Sequence, residues 1–482
     1  MIPLRVQELA AFDIERFQEI VGVQSQRRLG LLSRKLQKAF GGNPTVWHIN
    51  SSGVGGGVAD ILNYLIPFST QQGVYSQWFV YGGDEEFFKI TKSFHNALQG
   101  SSKVQIDAEM FSHYQEIATA NISQMEQLIE DRHWSAPDIM VVHDPQPAGM
   151  ISHWRSRFPD ALFIWRGHIQ FDVTNWTPSH PGQQVWDMLL GFINQCDAAI
   201  FHLPEQVPDG IKVPVHFILP SINPLAHINR DLSDPAAAQF VDSTLSKYGM
   251  EKFQDPSIPL VVQNARFDPW KDPQGVIQAF REAQESLPKR HKRPHLLLVG
   301  PMAADDPEAH EILAHLGQLK DGDGTVHILP IFPSENGVSA GQAKALVEMG
   351  LDHRQLQLGK LMELEINVFQ TRADIIVAKS LREGFGLTVT GAGYHGKPRI
   401  VSQVGGLSAQ VSKGNAVQVG GSPDFDREVS IAMTREWMVK LLRSPRLRKS
   451  MGAKAKRHVI RNFLPHRHLG DYFKLFLKLR LS

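Results

Sequence analysis

The sequence predicts an α/β protein built of two doubly wound domains, on three observations. Short apolar segments of strand length alternate with helical stretches in two separate series. A proline-bounded break, Pro220-Ser221-Ile222-Asn223-Pro224, divides the series. In both series glycines or polar residues follow the strand ends, where open parallel sheets bind ligands. With 482 residues, the chain is too long for one core and long enough for two.

Residues 1–42 carry a helical pattern, with Leu29, Leu32, Leu36 and Phe40 three and four apart. Thr45-Val46-Trp47-His48-Ile49-Asn50 follows as a buried strand. It runs into Ser51-Ser52-Gly53-Val54-Gly55-Gly56-Gly57 and a helix starting near Val58. Three adjacent glycines exceed what a turn requires, so Gly55, Gly56 and Gly57 are candidate binding residues. Further strands are expected at 77–81, 138–142, 161–165, 198–201 and 215–218. The second of these delivers His143 and Asp144 at its carboxyl end, and the third delivers Arg166, Gly167 and His168. The first domain is placed at 1–222, followed by a polar linker over 223–257. The second series starts at Pro259-Leu260-Val261-Val262-Gln263 and continues through strands at 295–299, 326–329, 375–378 and 399–402. This second domain spans 258–464. An amphipathic basic helix, 465–482, is expected to pack back on the first domain.

The net charge of +1 gives no reason to expect a nucleic-acid partner. Cys196 stands alone, which rules out an intramolecular disulfide and fits a reducing compartment. No apolar run approaches the roughly 20 residues that span a bilayer, so stable membrane insertion is not expected. The amino terminus lacks the layout of a signal peptide. A cytoplasmic location is the expectation.

The second domain concentrates the chemistry. Ile375-Ile376-Val377-Ala378 leads into Lys379-Ser380-Leu381-Arg382-Glu383-Gly384-Phe385-Gly386-Leu387. Glycines there let backbone N–H groups approach an anion, and a following helix adds the positive end of its dipole. Lys379, Gly384, Phe385, Gly386 and Leu387 therefore form a candidate anion cradle with the Glu383 carboxylate beside it. Arg266 and Lys271 lie five apart after the domain's first strand. Two cations there suit a phosphate or diphosphate and could stabilise charge on a leaving phosphate without a metal. No Walker A sequence is present, and His310 and His315 miss the zinc-helix spacing by one residue. No metal ligand set is assigned.

A resemblance is carried by His48-Ile49-Asn50-Ser51, Gly55-Gly56-Gly57-Val58-Ala59, Gly83-Asp84-Glu85-Glu86, His143-Asp144-Pro145-Gln146-Pro147 and Trp165-Arg166-Gly167-His168-Ile169. The second domain adds Arg266-Phe267-Asp268-Pro269-Trp270-Lys271-Asp272 and Lys379 to Gly386. Together these stretches, over about residues 43 to 475, resemble the retaining glycosyltransferases of family GT4, which have the GT-B fold. The similarity is nearest to the branch of trehalose glycosyltransferring synthases and trehalose phosphorylases. It implies two Rossmann-like domains facing a central cleft that closes about the Pro220 linker. By the same resemblance, Arg266 and Lys271 hold the donor's phosphates with amides near Gly384 to Gly386, and Glu383 contacts hydroxyls of the transferred glucose. His168 and Asp144 contact that sugar from the first domain, and Gly55 to Gly57 border the cleft. Retention is implied to proceed by front-face attack, with the leaving phosphate accepting the acceptor's proton. A nucleotide-sugar donor, a small sugar acceptor and no further cofactor follow; a homodimer is compatible. One departure stands out. The family usually has a second glutamate eight residues after the first, contacting the nucleotide ribose, where this chain has Gly391.

Overall fold

The computed structural model describes residues 2–482 except 54–55, 175, 303–306, 333–336, 353, 355 and 421–425; for 307–308 it describes the backbone alone. The chain divides into two compact units, Met1–Ser221 with Phe463–Ser482, and Ile222–Asn462.

The first unit holds a seven-stranded sheet. Its strands are β1 (Arg5–Val6), β2 (Thr45–Asn50), β3 (Tyr75–Val80), β4 (Ile139–His143), β5 (Leu162–Arg166), β6 (Ala198–Phe201) and β7 (Val215–Phe217), in the order β1-β3-β2-β4-β5-β6-β7. All pairs are parallel except β1 with β3. Residues 1–42 are therefore not helical throughout. Their start is an edge strand, because Ile2 N–H donates to Gly83 O (2.7 Å) and Gln7 N–H to Trp78 O (2.9 Å), so β3 supplies the backbone partners. Helices Ile14–Val21 and Val23–Phe40 follow, broken at Gly22 with φ 79°.

The period of two along these strands separates their faces. Trp47, Ile49, Met140, Val142, Phe163 and Trp165 enter one apolar core. Each such side chain contributes about 1.5–3 kcal/mol on full burial. The opposite set follows from register: His48 pairs with Val141, and His143 with Arg166, which places His48, His143 and Arg166 on the other face. That face is covered by the helix Pro465–Leu481, whose Leu469, Tyr472, Phe473 and Phe476 are buried. Arg467 fastens it by donating to Leu219 O and Pro220 O, both at 2.7 Å.

The second unit has six parallel strands: β8 (Leu260–Asn264), β9 (His295–Pro301), β10 (Val326–Ile331), β11 (Ile375–Ala378), β12 (Arg399–Ser402) and β13 (Val417–Val419), in the order β10-β9-β8-β11-β12-β13. Alternation again divides them. Val261, Leu296, Leu298, Ile375 and Val377 face one core, and Leu260, Val262, Leu297, Val299 and Ile376 face another. A sheet buried on both faces reads as continuous apolar runs, as these strands do.

The stretch 223–257, expected as a linker, belongs to this second unit. It holds the helix Pro235–Lys247, capped by Asp234, whose side chain accepts from Ala237 N–H at 2.7 Å. Ala237, Phe240 and Leu245 of that helix lie in the core with Leu260 and Val262. Polar residues dominate the stretch by count, but the helical spacing of its few apolar ones gives it a buried face.

Candidate functional site

Each sheet has a switch point, where successive connections leave on opposite sides and the loops part to leave a crevice. In the second unit it lies between β8 and β11, which are neighbours, with Ile375 beside Val261. This topology brings the loop 265–272 against the loop 379–386. Lys271 Nζ lies 2.5 Å from Glu383 Oε2, and both side chains are about four-fifths buried. Ser380 Oγ also donates to Glu383 Oε2 at 3.3 Å. Gln263 Nε2 holds the Lys271 carbonyl at 2.7 Å, and Leu381 N–H donates to Trp270 O at 2.7 Å, so the two loops are tied by backbone as well as by charge. The Arg382 guanidinium lies 4.4 Å from the centre of the Trp270 ring.

Asp272 takes a left-handed conformation, φ 44° and ψ 51°. It caps the helix Pro273–Glu285 through Gly275 N–H (3.1 Å), and accepts from Arg427 at 3.0 Å and from Lys379. Lys379 is 1% exposed, and an ammonium that deep requires a counter-charge. Its ammonium is therefore committed to Asp272 rather than presented to a ligand. Arg266 differs again: its side chain is 65% exposed and lies 3.5 Å from Asp268. Among the described residues it makes no contact with Lys271 or Glu383.

Gly384, Phe385 and Gly386 complete the turn into the helix Leu387–Tyr394. Gly386 has φ 86°, and a Cβ there would lie 2.6 Å from Leu407 Cδ2, so the turn needs glycine for both reasons. Gln410 Nε2 fastens the carbonyls of Phe385 (2.6 Å) and Gly386 (3.1 Å). Leu387 opens the helix, at the positive end of its dipole. Gly391 is buried further along it. A Cβ at Gly391 would stand 2.6 Å from Asn229 Oδ1 and 3.1 Å from Gln370 Nε2. Those two amides fill the place of a larger side chain.

In the first unit the switch point lies between β2 and β4. Gly56, with φ 80°, precedes the helix Gly57–Gln71, which Gly57 begins; Gly55 lies outside the described residues. Asp144 follows β4 with φ 64° and accepts the His168 N–H at 2.7 Å. Burial pushes its carboxyl up to about 7, against the pull of Arg166 and its hydrogen bonds. His168 Nε2 lies 2.9 Å from His143 Nδ1, and His143 Nε2 lies 3.0 Å from His48 Nδ1. Beneath them Arg166 is fully buried. It donates to Ile218 O (3.1 Å), His468 Nε2 (3.1 Å) and the Tyr472 hydroxyl. Arginine can only donate, so His468 Nε2 accepts, and its Nδ1–H donates to Ser221 Oγ at 2.9 Å.

The sequence signals missed His48, His143, Asp272, Arg427, His468 and Tyr472 as members of these networks. Asp272 adjoins Lys271, and a histidine inside an otherwise apolar strand was a usable sign at 48. Which strand faces which was not readable before the strand order.

Two family comparisons match. Residues 48–208 match the family described as trehalose synthase, N-terminal domain, and residues 251–458 match glycosyl transferases group 1. A trehalose synthase of Pyrococcus horikoshii is 34% identical over 468 residues, 96% of this chain and 95% of that protein. The chain belongs to the trehalose synthase family of glycosyltransferases. A trehalose synthase of Rubrobacter xylanophilus is 34% identical over 435 residues, 90% of each chain. A trehalose phosphorylase of Pleurotus pulmonarius is 27% identical over 84% of this chain but only 53% of its own length. Among solved structures, a UDP-forming α,α-trehalose-phosphate synthase from Burkholderia xenovorans superposes with a TM-score of 0.64 at 15% identity, covering 91% of this chain and 100% of that one. The fold is GT-B. As a member of the trehalose synthase family the protein is a glycosyltransferase, and trehalose-related glucosyl transfer is its reaction class. Among the described residues no helix is long and apolar enough to cross a membrane.

Proposed function

We propose that the protein is a retaining glucosyltransferase that forms trehalose, reversibly, from a nucleotide-activated glucose and glucose. The observation that carries this is end-to-end similarity to trehalose synthases, 96% of this chain against 95% of the Pyrococcus protein. The phosphorylase match leaves nearly half of that relative uncovered.

The side chains support roles for this reaction. Lys271 exchanges its Glu383 partner for a donor phosphate, and Arg266, exposed and beside Asp268, moves onto the same group. Glu383, once released, accepts hydrogen bonds from glucose hydroxyls. The turn at Gly384, Phe385 and Gly386, with Leu387, offers the helix dipole to the phosphate. His168 and Asp144 take sugar hydroxyls. Lys379 acts from beneath by holding Asp272. Such a site works by positioning and electrostatics, with the leaving phosphate accepting the acceptor's proton and no group supplied beyond the substrates.

One observation favours a second reading, a phosphorylase using glucose 1-phosphate. Gly391 offers no side chain to a nucleotide ribose, and Asn229 and Gln370 close the space above it. Incubating the protein and glucose with UDP-glucose, ADP-glucose, GDP-glucose or glucose 1-phosphate separates the readings. Trehalose from a nucleotide donor supports the synthase, and trehalose from glucose 1-phosphate alone replaces it with the phosphorylase. No trehalose from any donor would overturn both.

A further inference from the structure

The three imidazoles of His48, His143 and His168 form a continuous chain through the first unit. They come from β2, β4 and the residue two past β5. Consecutive rings lie edge to edge and close to coplanar, with centroids 5.3 and 5.2 Å apart and planes inclined by 27° and 24°. Each link joins an Nδ1 to an Nε2, at 3.0 and 2.9 Å. His168 Nδ1, at the end of the chain, is buried and has no hydrogen-bond partner among the described residues.

We propose that His48 and His143 are positioning residues, which set the nitrogen of His168 that carries its proton and so fix whether Nδ1 donates to or accepts from the sugar. This rests on His168 as a sugar contact, the role proposed above.

The argument is a count of protons. A neutral imidazole has one N–H and one lone pair. With both links made, two arrangements satisfy the chain. In one, His48 Nδ1–H donates to His143 Nε2, His143 Nδ1–H donates to His168 Nε2, and His168 Nδ1 carries a proton. In the other, every Nε2 carries the proton, both links reverse, and His168 Nδ1 presents a lone pair. Any mixture sets two protons or two lone pairs against each other, which a buried site penalises by the full desolvation of an unmade bond. The three rings therefore share one tautomer.

Their surroundings keep them neutral. Burial, aided by the Arg166 cation that Ile218, His468 and Tyr472 fix beside the chain, holds His48 down to about 3 and His143 and His168 well below the usual imidazole range. Asp144, which faces His168, has a raised carboxyl.

Imidazole 15N NMR of the histidine-labelled, ligand-free full chain at pH 7.5 tests this, with signals assigned through His48→Gln, His143→Gln and His168→Gln. The expected result is a single shared tautomer for the three rings. In His143→Phe the His168 signal should move toward a mixture of tautomers, and kcat should fall about tenfold or more with KM for glucose changed less than threefold. Different tautomers among the three rings of the unsubstituted protein would overturn the proposal, whatever the folding of the variants. So would a His168 tautomer unmoved in folded His143→Phe. The ligand-free spectrum is independent of the sugar reading: a shared tautomer in a protein without transfer activity would sink that reading and leave the chain standing.

Discussion

Lys271 and Glu383 neutralise each other in a pocket that leaves less than a fifth of either side chain exposed. If Lys271 stabilises charge on the leaving phosphate, Lys271→Ala should reduce kcat by about 10²–10³-fold, the range for removing one preorganised electrostatic contact. Steady-state kinetics beside a circular dichroism spectrum would check this, and unchanged kcat would remove the lysine from the mechanism. At Gly391 the structure reverses a simple expectation. Restoring a glutamate there should not tighten nucleotide binding, because its Cβ would collide with Asn229 and crowd Gln370. Gly391→Glu should instead destabilise by about 1–3 kcal/mol through overpacking, read as a lowered urea midpoint. Asp144 has a definite pH signature. Its folded carboxyl titrates near 7 and its unfolded one near 3.8, so its contribution to stability is full below the unfolded value and is lost as pH rises toward 7. The stability of Asp144→Asn relative to the parent should therefore rise between pH 4 and 7; a constant difference across that range would mean the carboxyl is not burdened by burial.

Strands and turns were readable because a buried parallel strand is an apolar run and a ligand turn is a cluster of glycine and charge. Ile375–Ala378 with Gly384 and Gly386 shows both. The edge strand Arg5–Val6 was not, since two residues carry no period and their pairing with β3 is decided by tertiary contact. The helix Pro235–Lys247 was hidden by its polar neighbours. Strand-end residues such as Lys271, Glu383, Asp144 and His168 could be found in the sequence, whereas which of them meet could not. Glu383 meets Lys271 only because β11 pairs with β8, and His143 meets His48 only because β4 pairs with β2. At this scale the helix Pro465–Leu481 matters most. It supplies His468 and Tyr472 to Arg166, a cation with no carboxylate bonded to it among the described residues. Replacing the acceptors by apolar groups leaves a buried charge short of partners. His468→Leu combined with Tyr472→Phe should cost about 3–5 kcal/mol, seen in thermal unfolding, while Arg166→Met added to that pair should recover part of the loss. No recovery would mean that packing, not the cation, dominates there.

Seven histidines spread across the molecule share one tendency. Burial lowers His48 to about 3 and His95, His395 and His466 to about 4, and it holds His143, His168 and His468 well below 6.5. Each is neutral in the folded chain and gains a proton in the unfolded chain below about 6.5. The unfolded state then binds more protons, so the stability present above that pH is lost as pH falls toward 4. Asp144 acts in the opposite sense over the same range but is a single group. The urea midpoint should thus drop steeply between pH 6.5 and 4.5, and a flat profile would show that these rings are not held neutral. The glucosyl transfer itself is tested most directly by proton NMR of a mixture of the protein, glucose and UDP-glucose, read at the anomeric protons as product appears. The account predicts loss of the donor's α-anomeric signal with growth of the single α,α-trehalose doublet. A β-linked disaccharide, or donor consumed to free glucose with no disaccharide, would contradict it.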